Sequence, residues 1–371
     1  MRFLILSCNT GGGHNSAAAA IKETFEKHGL TCDIMDALSF WSNEKSKLIS
    51  KGHSFIYRNM PKLFCAAYKY EENHPAKDGN GSLMFELVTK GCSSLADYLR
   101  HGDYDKVICT HIFSSMMMTK IRKDKMYDIP FYFVATDYTC SPGVGEVLSD
   151  IYFIPHKLLI EEFILHGIRQ EKICVSGIPV SLDFYNKQDK KSAREKLGLP
   201  QDKFIFLLTL GSMGCGPIKE IFFELTENIP YNSQLVVICG NNRRLYKLLN
   251  KDCTTNAKII GYTSLMNYYM QAADILITKP GGLTSTEAAV RGLPMIFIDA
   301  VGGCETRNFD FFVNNGLADC GKSIKEITEL CMFYAENCEK LGKKSEHLRK
   351  SFDFCAGEII YNNVVNGRNV Q

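Results

Sequence analysis

Lys279-Pro280-Gly281-Gly282-Leu283-Thr284-Ser285-Thr286-Glu287 decides how this chain is read. The apolar run Asp274-Ile275-Leu276-Ile277-Thr278 ahead of it has the length of a buried strand, and two glycines break it before a helix begins. Glycine at such a turn lets a ligand approach the backbone, and the unpaired N–H groups of a new helix terminus suit a diphosphate. Glu287 is placed on the first helical turn, where a carboxylate can accept hydrogen bonds from ribose hydroxyls. Gly281, Gly282 and Thr284 complete what reads as a nucleotide-sugar clamp. The alternative is a turn that only packs a helix closely against a sheet.

A second glycine loop, Thr10-Gly11-Gly12-Gly13-His14, follows the buried-type strand Phe3-Leu4-Ile5-Leu6-Ser7 and precedes the helix-like Ser16-Ala17-Ala18-Ala19-Ala20-Ile21. One chain thus carries two strand-glycine-helix units. Neither has the Gly-x-Gly-x-x-Gly spacing of a dinucleotide site, and Asp33 and Asp36 give a ribose acid little support, which argues against a redox enzyme.

Strand-like runs recur from Phe3, Cys32, Lys106, Phe131, Ile151 and Ile173, and again from Phe204, Leu235, Lys258, Asp274 and Met295, with helical patterns between them. This is βαβ alternation and predicts parallel sheets. At 371 residues the chain exceeds one core, so the reading is α/β with two Rossmann-like domains, 1–184 and 185–371, facing across a cleft. The polar stretch from Tyr185 to Pro200 is the linker candidate, and the last helical stretch could pack back on the first half.

A net charge of +2 and 45% apolar residues describe a globular protein and argue against a nucleic-acid binder. Fifteen scattered cysteines, none in Cys-x-x-Cys, read as reduced core residues in a cytosol. No signal peptide and no membrane-spanning run is expected. Residues 45–70 carry Lys45, Lys47, Lys51, Arg58, Lys62 and Lys69 with no acid, interleaved with Phe55, Tyr57, Phe64, Tyr68 and Tyr70. That mixture suits an anionic membrane surface, and equally a solvated helix whose aromatics face the domain.

The ordered set Gly11-Gly12-Gly13-His14, Cys109-Thr110-His111-Ile112-Phe113, Val134-Ala135-Thr136-Asp137-Tyr138, Gly177-Ile178-Pro179-Val180, Gly211-Ser212-Met213-Gly214-Cys215-Gly216, Val237-Ile238-Cys239-Gly240 and Lys279 to Glu287 resembles the monogalactosyldiacylglycerol synthase and processive diacylglycerol glucosyltransferase family. That family is related to the peptidoglycan N-acetylglucosaminyltransferase. The resemblance implies a GT-B fold and inverting transfer of a hexose from a UDP-sugar to a lipid hydroxyl, typically diacylglycerol, with no essential metal and no cofactor beyond the donor. It implies a place on the inner face of the cell membrane. It further implies that Gly211, Ser212, Gly214 and Gly240 line the diphosphate, with Gly281 and Gly282 also on the phosphates. Backbone groups of Tyr262 and Thr263 would read the uracil, Glu287 would hold the ribose, and Glu305 and Asn308 would read sugar hydroxyls.

The chain departs from the family pattern at Cys304, where a glutamine is usual. It departs again after Asp137, where Thr139-Cys140-Ser141-Pro142-Gly143-Val144 replaces a segment with histidine and tryptophan, and at Asn241, which stands for an arginine. An inverting transfer needs a base near the acceptor hydroxyl, and a histidine suits neutral pH. His14 is the first candidate, Asp137 a helper or competing base, and His111 the third. A transferase for another lipid or polyprenyl acceptor, a UDP-sugar epimerase and a non-catalytic nucleotide-sugar sensor stand as alternatives.

Overall fold

A computed structural model describes residues 1–9, 12–41, 83–186, 189–211, 214, 216–251, 256–298 and 302–367. The basic aromatic segment 45–70, Gly11 and Ser212 lie outside the described residues. The chain divides into two units. One comprises Met1–Leu182, Gly302–Arg307 and Phe354–Gln371, the other Asp183–Val301 and Asn308–Asp353.

The first unit runs β1 (Arg2–Ser7), α1 (Gly12–Lys27), β2 (Thr31–Asp36), α2 (Leu83–Val88), α3 (Cys92–His101), β3 (Lys106–Cys109), α4 (Ile112–Lys123), β4 (Phe131–Val134), β5 (Ile151–Ile154), α5 (Ile160–Leu165) and β6 (Ile173–Val175). Its sheet has the order β2-β1-β3-β4-β5-β6, and every pairing is parallel. Helices cover both faces of such a sheet, so its strands are apolar almost throughout. Phe3, Leu4, Ile5 and Leu6 of β1 are fully buried. One side packs Phe3, Ile5, Ile108, Val134 and Phe153 against Ala18, Ile21 and Phe25 of α1.

The second unit contains α6 (Lys190–Leu197), β7 (Phe204–Thr209), α7 (Ile218–Asn228), β8 (Ser233–Ile238), α8 (Arg243–Lys251), β9 (Ala257–Ile260), α9 (Met266–Ala272), β10 (Ile275–Thr278), α10 (Gly282–Arg291) and β11 (Met295–Phe297). It is followed by α11 (Cys304–Asn314), β12 (Asp319–Cys320), α12 (Ile324–Glu336) and α13 (Cys338–Ser351). The sheet order is β12-β11-β10-β7-β8-β9, again all parallel. The final helix, α14 (Ala356–Val365), belongs to the first unit, where Ile360 and Val364 join the core beside α1.

The stretch expected to be a linker holds a helix instead. Asp189 caps α6 by accepting the Lys191 N–H at 3.2 Å, and Gly198 closes it in a left-handed conformation, φ +59°. Arg194 of that helix is buried, donating to the carbonyls of Ala272, Gln201 and Lys203 and to Asp274 Oδ2 at 2.8 Å. A buried guanidinium with every neighbour an acceptor fixes α6 to the amino-terminal edge of the sheet.

Each sheet reverses its winding once. The crossover after β1 leads to β2 on one side and the chain then returns to β3 on the other; β7 and β10 flank the corresponding reversal in the second sheet. In open parallel sheets ligands bind beyond the carboxyl ends of the two strands at that point. The two glycine motifs read from the sequence follow β1 and β10, at those two reversals.

Candidate functional site

In the first unit α1 starts at Gly12, so His14 is the third helical residue rather than part of a loop. Its Nδ1 lies 3.0 Å from the carbonyl oxygen of Thr110 and 2.7 Å from Thr136 Oγ1. A carbonyl oxygen can only accept, so the Thr110 contact is a hydrogen bond in the tautomer with the hydrogen on Nδ1, which leaves the lone pair on Nε2. The Thr110 hydroxyl in turn donates to the His14 carbonyl at 3.2 Å. Burial of the ring lowers the His14 pKa to about 4, the Thr110 contact opposing that shift. At neutral pH the imidazole is therefore uncharged and able to take a proton at Nε2.

His111 stands edge-on to His14, ring centroids 4.4 Å apart at 74°. It is the N-cap of α4, with Nδ1 accepting the Phe113 N–H at 3.1 Å, so its hydrogen sits on Nε2. The two histidines stand beyond the carboxyl ends of neighbouring strands, β1 and β3, and the capping task separates His111 from His14. Asp137 follows Thr136 on the segment leaving β4 and is half-buried. Thr110 and Thr136, which orient His14, were not singled out from the sequence. Their sequence signals were their place directly after a buried strand and their presence in the segments Cys109 to Phe113 and Val134 to Tyr138.

In the second unit the carboxyl ends of β7, β8 and β10 carry the glycines. Gly211, Gly214 and Gly240 all have positive φ, +78°, +55° and +57°. A Cβ on Gly214 would come within 2.2 Å of the Cys239 carbonyl oxygen, so backbone meets backbone there. Asn242 ties the loops together. Its Nδ2 donates to the Gly214 carbonyl at 2.9 Å while its Oδ1 accepts the Leu245 N–H at 3.0 Å, capping α8. That cap was also missed, although an asparagine just before a helical run is a start signal.

Gly281 differs from these. It has φ −82° and ψ +132°, open to any residue, and a Cβ there would meet nothing within 4 Å. Neither backbone strain nor packing asks for glycine at this position, while open space beside a helix start leaves room for a ligand. As the N-cap of α10, Gly281 supplies no side-chain hydrogen bond, so the leading amides of that helix lack a capping partner from it. Thr284 lies half-buried in the first turn. Lys279 crosses to the other loop, its Cε 3.4 Å from where a Cβ of Gly211 would stand.

Glu287 is the sixth residue of α10, so it stands on the second turn and not the first. Helical side chains lean toward the N-terminus, which still carries its carboxyl back toward Gly281. It is half-buried, and desolvation raises its pKa to about 8. Three buried hydroxyls without a partner, those of Thr209, Thr278 and Ser285, stand at the ends of β7 and β10 and in the first turn of α10. Buried polar atoms are nearly always satisfied, so these three mark spare hydrogen-bonding capacity at this edge, while Ser233 Oγ, Gln234 Oε1 and Arg291 Nε lack partners at the amino-terminal edge of the same sheet.

Tyr262 is 70% exposed after β9, and the Thr263 hydroxyl accepts the Leu265 N–H at 3.0 Å. Glu305 and Asn308 lie three residues apart on α11, both buried and engaged with polar neighbours. A cavity of about 280 Å³ opens at the opposite, amino-terminal edge of the second sheet, among Lys190, Phe204, Asp274, Arg291 and Arg349. Arg291 and Arg349 sit in the last turns of α10 and α13, where the helix dipole accounts for cations. Among the described residues no group of three or more His, Cys, Asp or Glu is placed to hold a metal ion, and no helix is long and apolar enough to cross a membrane.

Comparison with known proteins adds the following. Residues 14–180 match the monogalactosyldiacylglycerol (MGDG) synthase family, and residues 207–314 match the glycosyltransferase family 28 C-terminal domain. The chain is 26% identical over 359 residues to the processive diacylglycerol beta-glucosyltransferase of Staphylococcus saprophyticus, covering 94% of this chain and 88% of that one. It is 28% identical to the chloroplastic monogalactosyldiacylglycerol synthase of Spinacia oleracea, covering 88% of this chain and 65% of that one. Among solved structures, Acinetobacter baumannii MurG aligns with a TM-score of 0.61 at 13% identity, over 99% of this chain and 100% of its own. S. aureus MnaA, solved with UDP, aligns with a TM-score of 0.66 at 13% identity, over 100% and 98%.

Proposed function

We propose that this chain, which has the GT-B glycosyltransferase fold, acts as a member of the family of monogalactosyldiacylglycerol synthases and processive diacylglycerol glucosyltransferases that it resembles, and that it is an inverting hexosyltransferase. It moves a hexose from a UDP-sugar to the hydroxyl of diacylglycerol in glycolipid synthesis. The observation that carries the residue assignment is the unlike furnishing of the two winding reversals. One holds a neutral imidazole against two threonines; the other holds a helix start without a side-chain cap, hydroxyls without a partner and a desolvated carboxyl.

In this reading the hydroxyl oxygen of the lipid attacks the anomeric carbon, the bond from that carbon to UDP breaks, and the hydroxyl proton passes to His14 Nε2. A base of pKa about 4 accepts late, once bond formation has made the hydroxyl acidic. Asp137, next to the Thr136 that touches His14, supports or shares that role. Charge growing on the leaving diphosphate is met by the glycine-lined loops of Gly211, Gly214 and Gly240 and by the amides of Gly282 and its neighbours, which need no rearrangement when it appears. Glu287 takes the ribose hydroxyls, and Tyr262 and Thr263 the uracil. Glu305 and Asn308 take the sugar.

The six cations and several aromatics of residues 45–70 support a reading of peripheral contact with an anionic membrane, such as the inner face of the cell membrane. The test is UDP release from UDP-glucose and UDP-galactose, each with and without diacylglycerol in anionic vesicles, followed by mass analysis of the lipid. Lipid-dependent release with a gain of one or more hexoses is the expected result. Turnover of the sugar nucleotide without lipid would instead be the mark of an epimerase, and binding without release that of a sensor.

A further inference from the structure

We propose that Glu162, on α5, is a positioning residue that holds the segment leaving β4 and thereby sets Thr136 and Asp137 against His14. The proposal rests on the assignment of His14 and Asp137 to proton transfer. One carboxylate oxygen, Oε1 of Glu162, accepts both the Thr139 hydroxyl at 2.6 Å and the Cys140 N–H at 2.8 Å. A side-chain donor and a main-chain donor from consecutive residues, converging on one atom, fix the rotation of the segment as well as its place. Bonds to an ionised acceptor are about twice as strong as neutral ones.

The ladder of the sheet ends at the Ala135 N–H, which donates to the Phe153 carbonyl at 2.9 Å, and the next turn forms where the Val144 N–H reaches the Ser141 carbonyl at 3.2 Å. Between those points Tyr138, Thr139 and Cys140 are all buried, while Thr136 and Asp137 are half-buried. The Thr136 hydroxyl is 2.7 Å from His14 Nδ1, three residues before the residue that Glu162 holds by its hydroxyl. Downstream, Gly143 has φ +84° and lies so close to Met116 that a Cβ would be 2.4 Å from its Cε. The two bonds from Glu162 thus hold the buried middle of the segment, between Thr136 and the turn at Gly143.

The experiment compares Glu162→Ala, Glu162→Gln, Thr139→Val and Asp137→Asn in lipid-dependent UDP release at saturating donor, together with UDP affinity. Misplacing a catalytic group by about 1 Å costs on the order of 100-fold, so Glu162→Ala is expected to lower kcat by ~10- to 100-fold with the KM for UDP-sugar and the UDP affinity unchanged. Glu162→Gln keeps an oxygen at the same place and should return to within ~3-fold of the parent, and Thr139→Val, which removes one of the two donors, should fall between. Full kcat in Glu162→Ala, a glutamine variant no better than alanine, or parallel loss of UDP affinity would each overturn the proposal. Should Glu162→Ala not fold, Thr139→Val and Glu162→Gln carry the same test. If Asp137→Asn is inactive while Glu162→Ala is normal, the positioning role alone fails. If Asp137→Asn turns over at full rate, the assignment of Asp137 fails and the proposal with it.

Discussion

The edges at the two winding reversals share a plan and differ in what they leave unsatisfied. Both place a glycine-led helix behind a buried parallel strand, α1 behind β1 and α10 behind β10. At the first, the ring nitrogen Nδ1 of His14 has both Thr110 and Thr136 within hydrogen-bonding distance, and the neighbouring His111 is occupied as a cap. At the second, Gly281 opens on empty space, three hydroxyls lack partners and Glu287 is desolvated. The contrast teaches that one plan can carry two states of satisfaction, a network closed around a ring nitrogen and an edge with hydrogen-bonding capacity to spare, and under the proposed function these suit moving a proton and receiving a polar ligand.

The largest effect expected from breaking this contrast is at His14. His14→Ala should lower lipid-dependent turnover by ~10²- to 10⁴-fold and leave UDP affinity, measured by calorimetry, where it was. A comparable loss of UDP binding would erase the distinction between the edges. Glu287→Ala should do the reverse, weakening UDP binding by ~10- to 100-fold, the worth of a hydrogen bond to a charged group, with less change in kcat at saturating donor. Gly281→Ala should weaken UDP by ~3- to 10-fold without lowering the melting temperature, because the added methyl meets nothing in the protein.

A finer test uses protons. Glu287, protonated at neutral pH in the empty site with a pKa of about 8, should shed its proton when ribose hydroxyls donate to it. UDP binding at pH 7 should then release a fraction of a proton, read from calorimetry in buffers of different ionisation enthalpy, and Glu287→Gln should abolish the release. At His14 the sign runs the other way. Native His14 binds its proton only near pH 4, whereas an unfolded histidine does so near ~6.5. Between those values the unfolded chain holds more protons, so stability should fall as pH drops through that window, less so in His14→Phe. The smallest effect is at His111, where replacement by alanine should cost about 1 kcal/mol of stability for the lost cap of α4 and leave UDP affinity untouched.

Much of the fold was legible because parallel strands buried on both faces announce themselves as apolar runs; Phe3 to Leu6 and Ile275 to Ile277 could hardly be anything else. Strand β12, two residues long, carried too little pattern to be seen. Helix α6 was hidden by its own composition, since Lys190, Lys191, Arg194, Glu195 and Lys196 looked like a solvated connector; the caps Asp189 and Gly198 were the signal that outweighed it. Helix starts shifted the site residues by a turn, taking His14 into α1 and Glu287 to the second turn of α10, because glycines read as loop are tolerated within a first turn. Thr136, Asn242 and Glu162 were illegible for a different reason. Their roles are contacts between residues 22 to 122 positions apart, and no local pattern encodes those.

Helix α14 has a consequence for how the chain comes into being. Its Ile360 and Val364 complete the core that Phe3 and Ile5 begin, and the His28 ring, stacked 3.9 Å over Tyr361, also meets Glu358 at 2.7 Å. A ribosome delivers the N-terminus first, yet this domain receives its closing piece only after the second unit has emerged. Until then α1 waits with an apolar face uncovered. The second unit can be finished while the first is still open, which makes α14 a timing element, one that completes the first unit only when its companion is already made.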